Sequence, residues 1–321
     1  MSLQEKVTDQ ELATLKGKTI IVTGGASGIG KAAAALAHDV QNNLRGGQRL
    51  IFRDPLTAAG ANIAIADLQE DGGDALLSEF KEYVTVRPKL LDRLMRRVLY
   101  VKADVSSWSE VLNLFTKTWE RFGSIDVVLS NAGTHNFETI VDDKLDADGK
   151  LAAPNLKSLE VNLHSAAYCT KAALHYFAKQ PSKRCQLVFT GSAASLIDTP
   201  PLFLYCAGKA GVLGLMRGMR RGLPSENITV NMVAPWMTVT AMLPDWIREK
   251  WGTLPANDTN GVAKALLLPA VRTSVNGKVL WVAGNDIIEV EDAMHDSQPQ
   301  WLGAQLSADV DEGQRRLGVP I

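Results

Sequence analysis

The sequence is poor in cysteine, has no long apolar run and carries almost no net charge. Its three cysteines form no Cys-x-x-Cys pair and cannot all be disulfide-bonded, which favours a reducing, cytoplasmic location. No apolar stretch approaches the roughly 18 residues that cross a bilayer, and the N-terminal residues lack the basic start and apolar core of a secretory signal. A net charge of −1 predicts no general attraction to nucleic acid or a membrane surface. The five histidines show no metal-ligand spacing, so no metal site is expected.

Short apolar runs alternate with longer helical stretches along the chain, which is typical of βαβ units. Seven candidate strands follow this pattern: Thr19–Val22, Asn62–Asp67, Val98–Lys102, Asp126–Ser130, Gln186–Thr190, Ile228–Val233 and Lys278–Val282. Continuous runs such as Val127-Val128-Leu129 indicate strands that are buried on both faces, as in parallel sheets. The sequence therefore predicts an α/β fold: a doubly wound, seven-stranded parallel sheet within a three-layer α/β/α sandwich.

A glycine-rich turn, Thr23-Gly24-Gly25-Ala26-Ser27-Gly28-Ile29-Gly30, joins the first predicted strand to an alanine-rich helix. Glycines allow the backbone to approach a pyrophosphate closely, and a helix N-terminus supplies free N–H groups and the positive end of the helix dipole. Ordinary turn glycines look similar, but the position between strand and helix favours a Rossmann-type dinucleotide site. Asp67 ends the second strand, where it either begins a turn or accepts the ribose hydroxyls of an adenosine. The second reading predicts NAD, with NADP less favoured because the carboxylate repels a 2′-phosphate.

Further elements occur in the order typical of one family. Asp104-Val105 and Asn131-Ala132-Gly133 follow the third and fourth strands, Gly191-Ser192-Ala193 follows the fifth, and Val161-Asn162-Leu163, Tyr205-x-x-x-Lys209 and Asn231-x-Val233-Ala234-Pro235 complete the set. From Lys18 to about Gly284 the chain thus resembles the short-chain dehydrogenase/reductase family. The resemblance implies four catalytic residues, Asn162, Ser192, Tyr205 and Lys209. It also implies a set of cofactor-binding residues: Thr23, Gly24, Ser27, Gly28, Ile29, Gly30, Asp67, Asp104, Val105, Asn131, Ala132, Gly133, Tyr205, Lys209, Pro235, Met237 and Thr240.

Two positions depart from the family pattern. Trp236 stands where the family usually has a glycine after the proline, and Ser195 replaces a common glycine after the catalytic serine. Trp236 is expected to reshape the nicotinamide end of the pocket.

The spacing of Tyr205 and Lys209 suits acid–base chemistry. Hydride transfer between a carbinol carbon and nicotinamide requires a proton to leave or join the oxygen, and an unperturbed tyrosine has a pKa near ~10. Lys209 lies one helical turn after Tyr205, so its charge is expected to lower the pKa of the phenol. Ser192 would hydrogen-bond the substrate oxygen, and by resemblance Asn162 would anchor a water that connects Lys209 to solvent.

Two arginine-rich segments exceed the usual length of about 2–6 residues for connections in α/β units. We interpret residues 1–321 as one domain with a core of about 16–287, insertions of about 38–57 and 81–97, and a C-terminal extension of 288–321. The insertions are either solvated surface helix and loop, a basic rim near the adenosine end of the cofactor, or the result of an error in the gene model. Residues 1–15 are expected to form a loose polar lead-in. The tail after Ala283 shows no strand pattern and is expected to wrap the surface.

The predicted function is hydride transfer between NAD(H) and a secondary alcohol or ketone. Apolar residues in the expected pocket covers, Leu196–Leu204 and Trp236–Asn260, favour a bulky apolar substrate, although they could equally pack a lid onto the core. Trp236 leaves open an alternative, a non-redox cyclisation or epimerisation with bound NAD(P). The pattern Pro299-Gln300-Trp301-Leu302-Gly303 resembles fungal natural-product reductases, which points to secondary metabolism. The glycine-studded helix from Tyr205 to Arg221 is expected to pack closely on other backbone, and by resemblance to pair between subunits of a homodimer or homotetramer.

Overall fold

The computed structural model describes residues 4–38, 40–42, 50–52, 60–69, 96–135, 139–241 and 243–318. Its strands are β1 (Gln4–Glu5), β2 (Thr19–Thr23), β3 (Val40–Asn42), β4 (Leu50–Phe52), β5 (Asn62–Asp67), β6 (Val98–Lys102), β7 (Val127–Ser130), β8 (Cys185–Thr190), β9 (Ile228–Pro235), β10 (Val279–Ala283) and β11 (Asp286–Glu289). Nine of them form one sheet in the order β1-β11-β10-β9-β8-β7-β2-β5-β6. The seven strands from β10 to β6 are parallel. All seven are the predicted strands, so the predicted fold class is confirmed.

The α-helices are α1 (Asp9–Leu12), α2 (Gly28–His38), α3 (Trp108–Phe122), α4 (Lys157–Leu159), α5 (Ser165–Phe177), α6 (Phe203–Met219), α7 (Asp245–Trp251), α8 (Thr259–Val271), α9 (Glu291–Asp296), α10 (Gln298–Leu302) and α11 (Ala304–Arg316). A π-helical segment, Glu160–His164, connects α4 to α5. Within the described part of the chain, no helix combines the length and the apolar character needed to cross a membrane.

Alternating side chains of the central strands supply two hydrophobic cores, one on each face of the sheet. In β2, Ile20 and Val22 belong to the core that contains α2 and α8, whereas Ile21 belongs to the core that contains α3, α5 and α6. All three of these residues are fully buried. Helices α2 and α8 pack directly against each other, which the short alanine side chains of α2 permit.

The strand order brings the carboxyl ends of β5, β2 and β7 together. From β2 the chain moves outward to β5 and β6, then returns to the other side of β2 at β7. Ligands of open α/β sheets bind at such a switch point, beyond the carboxyl ends of the strands. Thr23, Asp67 and Ser130 end the three strands and therefore mark this edge.

The expectation of a loose polar lead-in is wrong. Thr8 caps α1 through a capping box with Glu11, and the neighbouring Leu12 and Leu15 are buried in the core. Arg272 then donates a 2.7 Å hydrogen bond to Glu11, so that the segment is fixed to the residue after α8. The Thr-x-x-Glu pattern is a helix-start signal that is visible in the sequence.

The expectation that the tail holds no strand is also wrong. Gly284 and Asn285 have positive φ values of 58° and 68°, and they turn the chain so that β11 pairs antiparallel with β10. Gly-Asn is a hairpin signal, since both residues tolerate the left-handed region that a type I′ turn requires. Beyond β11, Glu291 of α9 accepts hydrogen bonds from Arg217 at 2.8 Å and from Arg220 at 2.6 Å. The tail is therefore joined to α6 by a buried ion pair.

The two insertions are described only in part. In the first, β3 pairs antiparallel with β4, in place of the expected surface helix and loop. Most of the second insertion lies outside the described residues, and so do the arginines of the first insertion. Arg97 donates to the carbonyl of Gly60 at the amino end of β5, the sheet edge opposite the switch point. This residue therefore does not contribute to a basic rim around a cofactor.

Close packing against the side chains of a neighbouring helical segment, rather than against backbone, explains two of the four glycines in α6. An added Cβ would lie 3.3 Å from Asn162 Cβ at Gly208 and 2.8 Å from a Leu163 methyl carbon at Gly211. At Gly214 and Gly218 it would meet nothing within 4 Å. The expectation of close packing is wrong for these two positions, because they lie on the outer face of the helix.

Candidate active site

The glycine-rich turn packs tightly beneath the carboxyl end of β2. Gly24 has a φ of +65°, and a Cβ there would lie 2.9 Å from Ala132 Cα. At Gly30 a Cβ would lie 2.2 Å from the Gly24 carbonyl oxygen. Only glycine fits either position, and the turn remains open where Ser27 is exposed before the N-terminus of α2. Its shape fits the pyrophosphate of a dinucleotide, which these backbone N–H groups would hold.

Asp67 is fixed beside this turn. Its Oδ2 accepts a 3.0 Å hydrogen bond from the backbone N–H of Ala26. The carboxylate therefore lies at the end of β5 with a set orientation, next to the residues that would bind the cofactor's phosphates.

Asn131 connects three strand ends. Its Nδ2 donates to the carbonyl oxygens of Thr23 at 3.0 Å and Gly24 at 3.4 Å. Its Oδ1 accepts from the hydroxyl of Thr190, the last residue of β8, at 3.0 Å. Sequence reasoning missed Thr190, because no local pattern marks a contact between residues so far apart in the chain.

Asn162 lies in the π-helical segment and is buried. Its side-chain oxygen accepts from Thr134 N at 3.1 Å, and its Nδ2 donates to Thr134 O at 2.7 Å and Ser158 Oγ at 3.2 Å. A Cβ at the exposed Gly133 would lie 2.8 Å from Asn162 Oδ1 and 3.2 Å from Lys209 Nζ. The glycine thus leaves the space in front of both polar groups open.

Ser192, Tyr205 and Lys209 come together at the end of β8. Ser192 begins a short 3₁₀ turn after β8, and its side chain lies near enough to Tyr205 to lower the pKa of the phenol. Lys209 Nζ lies 5.7 Å from the centroid of the Tyr205 ring. It donates a 2.8 Å hydrogen bond to the carbonyl oxygen of Thr190. The structure therefore brings all four predicted catalytic residues to one region, since Gly133 adjoins both Asn162 and Lys209.

The pKa of Tyr205 differs in direction from the expected one, and the pKa of Lys209 is also shifted. Burial lowers the pKa of Lys209 from 10.5 to about 8. The pKa of Tyr205 is raised above 10, because burial outweighs the opposing effect of Ser192. Burial therefore has a larger effect on the pKa of the phenol than the lowering that was expected from the charge of Lys209. As a protonated phenol, Tyr205 is suited to donate a proton.

Asp104 and Val105 lie beyond the end of β6. Asp104 accepts hydrogen bonds from the backbone N–H of Ser106 at 2.8 Å and from its hydroxyl at 2.6 Å, and Lys157 lies 3.6 Å away. The Ser106 hydrogen bonds hold the pKa of Asp104 below its usual value. Val105 is buried in the core on the α3 side. This loop is therefore ordered by its own contacts.

The segment after β9 forms a further wall of the candidate site, next to the glycine-rich turn. Pro235 ends the strand, and the ring of Trp236 lies edge-on to that of Trp251 in α7, with 4.7 Å between centroids. Arg248 of the same helix donates a 2.8 Å hydrogen bond to the carbonyl of Thr240, whose methyl group is 3.8 Å from the position of a Cβ at Gly28. Met237 accepts from the backbone N–H of Asn257 at 2.8 Å. These contacts place residues 236–240 against the glycine-rich turn, with α7 above them.

The other predicted cover, Leu196–Leu204, lies between Ser192 and α6. A cavity of about 670 Å³ separates this loop from the outer face of α6 and is lined by Leu196, Ile197, Phe203, Cys206 and Ala210 among others. Ser192, Tyr205 and Lys209 do not line it, so this cavity adjoins the site but is not the space where they meet. His135, considered from sequence as a substrate contact or a surface residue, is exposed.

Comparison with known proteins agrees with this geometry. A family model described as short chain dehydrogenase matches residues 53–251, more than half of the chain. Short-chain dehydrogenase/reductase prx4 of Penicillium roqueforti is 27% identical over 92% of this chain and 84% of its own length. The 5′-hydroxyaverantin dehydrogenase of Dothistroma septosporum is 28% identical over 93% of this chain and 94% of its own. Both relatives are fungal, in agreement with the resemblance of the tail.

A solved structure extends the comparison to a cofactor complex. The short-chain dehydrogenase of Burkholderia cenocepacia in complex with NADP is 26% identical, with a TM-score of 0.64 over 84% of this chain and 98% of that chain. Because the related proteins are dehydrogenases and reductases, the non-redox alternative is not favoured. The chain therefore belongs to the short-chain dehydrogenase family and is an NAD(P)-dependent oxidoreductase that acts on alcohol or ketone groups.

Proposed function

We propose that Tyr205 is the proton donor and acceptor of this oxidoreductase and that Ser192, Lys209 and Asn162 support it. The observation that carries the proposal is the position of the Tyr205 ring, whose centroid lies 5.7 Å from the buried amine of Lys209, with Ser192 near enough to lower the pKa of the phenol. A bound nicotinamide supplies the hydride acceptor or donor. In ketone reduction, the phenol of Tyr205 gives its proton to the substrate oxygen, and Ser192 holds that oxygen by a hydrogen bond.

In this proposal Lys209 restores the proton and binds the cofactor's ribose. A pKa of about 8 lets the amine both hold and release a proton near neutral pH. Its contact with the carbonyl of Thr190 fixes the amine beside the space that Gly133 leaves open. Asn162 closes the inner end of this space and, as the family resemblance suggests, would bind a water that connects Lys209 to solvent.

The substrate is proposed to be a bulky apolar secondary alcohol or ketone. Trp246 of α7 is 59% exposed, and Val239 and Leu254 in the same wall are also exposed. Apolar side chains on the cover of a pocket favour apolar ligands over sugars. The name of one fungal relative, 5′-hydroxyaverantin dehydrogenase, is consistent with a role in secondary metabolism.

The proposed cofactor is NAD(H) rather than NADP(H). Asp67 is fixed by its hydrogen bond to Ala26 N, and its carboxylate would repel a phosphate on the adenosine ribose. The remaining predicted contacts of the cofactor, Val105, Ile29, Met237 and Thr240, are part of the same proposal.

We also propose a homodimer or homotetramer in the cytoplasm. The outer face of α6 carries the exposed small residues Ala207 and Ala210, with open space at Gly214 and Gly218. Small side chains let a second helix approach closely, so this face suits the helix of another subunit.

The experiment is a cofactor and substrate matrix. The pure protein is incubated with NAD(H) or NADP(H) and a panel of secondary alcohols and ketones graded from small and polar to polycyclic and apolar. Absorbance of the reduced nicotinamide reports turnover. The proposal requires the highest kcat/KM with NAD(H) and a bulky apolar member of the panel, and a preference for small polar substrates would refute the substrate class.

A further inference from the structure

We propose that Ser195 is a positioning residue that sets the Ser192 turn against the helix of Tyr205 and Lys209. The inference rests on the proposed roles of those three residues. Ser195 is one of the two positions at which the sequence departs from the family pattern.

The hydroxyl of Ser195 joins two elements. Its Oγ accepts a 3.2 Å hydrogen bond from the backbone N–H of Ser192. It donates a 2.8 Å hydrogen bond to the backbone carbonyl of Lys209, 14 residues further along the chain. A serine hydroxyl has one proton to donate, so the bond to Lys209 determines the orientation of the group. The residue is 9% exposed, so water competes little for either partner.

A local role accounts for only one of these bonds. The bond to Ser192 N belongs to a reciprocal cap of the 3₁₀ turn, in which Ser192 Oγ accepts from Ala194 N at 3.2 Å. The bond to Lys209 stabilises no part of that turn. It instead sets the distance between the loop that carries Ser192 and the turn of α6 that carries Tyr205 and Lys209.

This link bears on the proton donor. The Ser192 hydroxyl interacts with Tyr205 and opposes the effect of burial on its pKa. If the Ser192 turn moves away from α6, that interaction weakens and the pKa of the phenol rises further. Misplacement of a reacting group by about 1 Å can cost on the order of 10²-fold in rate.

The test compares Ser195→Ala, Ser195→Thr and a matched control, Thr118→Val. Thr118 is a buried hydroxyl that donates a 2.7 Å hydrogen bond to Leu114 O within α3, away from the site. We expect Ser195→Ala to lower kcat by roughly 10–100-fold and to leave the Kd of the cofactor nearly unchanged. In ketone reduction Tyr205 must be protonated to donate its proton. We therefore also expect the basic limb of the pH–rate profile of this variant, measured for reduction, to move to higher pH. Ser195→Thr keeps the hydroxyl and should recover most of the activity, and Thr118→Val should leave both kcat and the profile in place.

Ser195→Ala with wild-type kcat overturns the proposal, and so does a loss of activity without a shift of the pH profile. Tyr205→Phe is measured in parallel to separate this inference from the proposed function. An active Tyr205→Phe enzyme would refute the proposed role of Tyr205, whereas an inactive one beside a fully active Ser195→Ala would refute the role of Ser195 alone.

Discussion

Lys209 is only 3% exposed, and its Nζ lies 2.8 Å from the backbone carbonyl oxygen of Thr190. A neutral carbonyl compensates an ammonium group only in part for its lost hydration, so burial lowers the pKa of the amine to about 8. Thr190 also donates to Asn131, whose amide contacts the glycine-rich turn. The proposed catalytic lysine and the proposed phosphate site are thus connected through one residue.

The lowered pKa of Lys209 predicts a pH-dependent stability difference between the wild type and Lys209→Met. Below pH 8 the amine is protonated in both states, and the buried charge destabilises the fold. Between about 8 and 10.5 the unfolded chain binds more protons than the folded protein, so the wild type gains stability relative to the variant as pH rises. The gain should be on the order of 1–3 kcal/mol between about pH 7 and pH 10, measured by urea denaturation. A difference that stays constant with pH would contradict the lowered pKa.

Asp67→Ala should narrow the preference for NAD(H). Like-charge repulsion between Asp67 and a 2′-phosphate should cost on the order of 1–3 kcal/mol, or roughly 5–150-fold in affinity. Dissociation constants of both cofactors, measured by fluorescence titration, check this for the wild type and the variant. Asp309→Ala on α11 removes an equal charge far from the turn and serves as the control. Tighter binding of NADPH by the wild type would show that Asp67 does not select the cofactor.

Glu291→Ala should destabilise the protein far more than Asp292→Ala. The side chain of Glu291 is 4% exposed and pairs with Arg217 and Arg220, so its loss leaves partly buried cations without a partner. Breaking a fully buried pair costs about 3–5 kcal/mol, and the partial exposure of Arg217 and Arg220 places the expected loss toward the lower end of that range. The neighbouring Asp292 is 62% exposed in its pair with Lys278, and an exposed pair contributes about 1 kcal/mol or less. Chemical denaturation compares the two variants, and equal losses would show that the tail does not depend on the buried pair.

Trp236→Gly should loosen the wall formed by α7. The edge-on contact between Trp236 and Trp251 contributes about 0.5–1.5 kcal/mol beyond simple burial. Its loss should raise the KM for bulky apolar substrates by roughly 3–10-fold. Backbone amides of residues 245–251 should also exchange hydrogen faster. Trp301→Gly, which removes a tryptophan that is 68% exposed in α10, is the control. Unchanged exchange in α7 would mean that the tryptophan pair does not hold the wall.

The sequence predicted the parts of the molecule that depend on local pattern. Buried parallel strands appear as apolar runs, and the proposed site residues follow strand ends, so the positions of Asp67, Asn131 and Ser192 are predictable from the sequence. The β10–β11 hairpin was missed although its Gly284-Asn285 signal is local. Thr190 and Ser195 were not predicted to join strands and helices, because their hydrogen bonds connect residues that are 59 and 14 positions apart. The pKa of Tyr205 was misjudged because its direction depends on burial, which residue spacing does not show.

The most direct test of the account is the effect of Tyr205→Phe on turnover and cofactor binding. Phenylalanine keeps the ring beside Lys209 and removes only the hydroxyl that exchanges the proton. Steady-state kinetics with the best substrate at saturating cofactor should show kcat reduced by at least ~10²–10⁴-fold, the usual size of a general acid–base contribution. The Kd of the cofactor should remain close to that of the wild type. A variant that keeps kcat within about tenfold of the wild type would contradict the assignment of Tyr205 as the proton donor and acceptor.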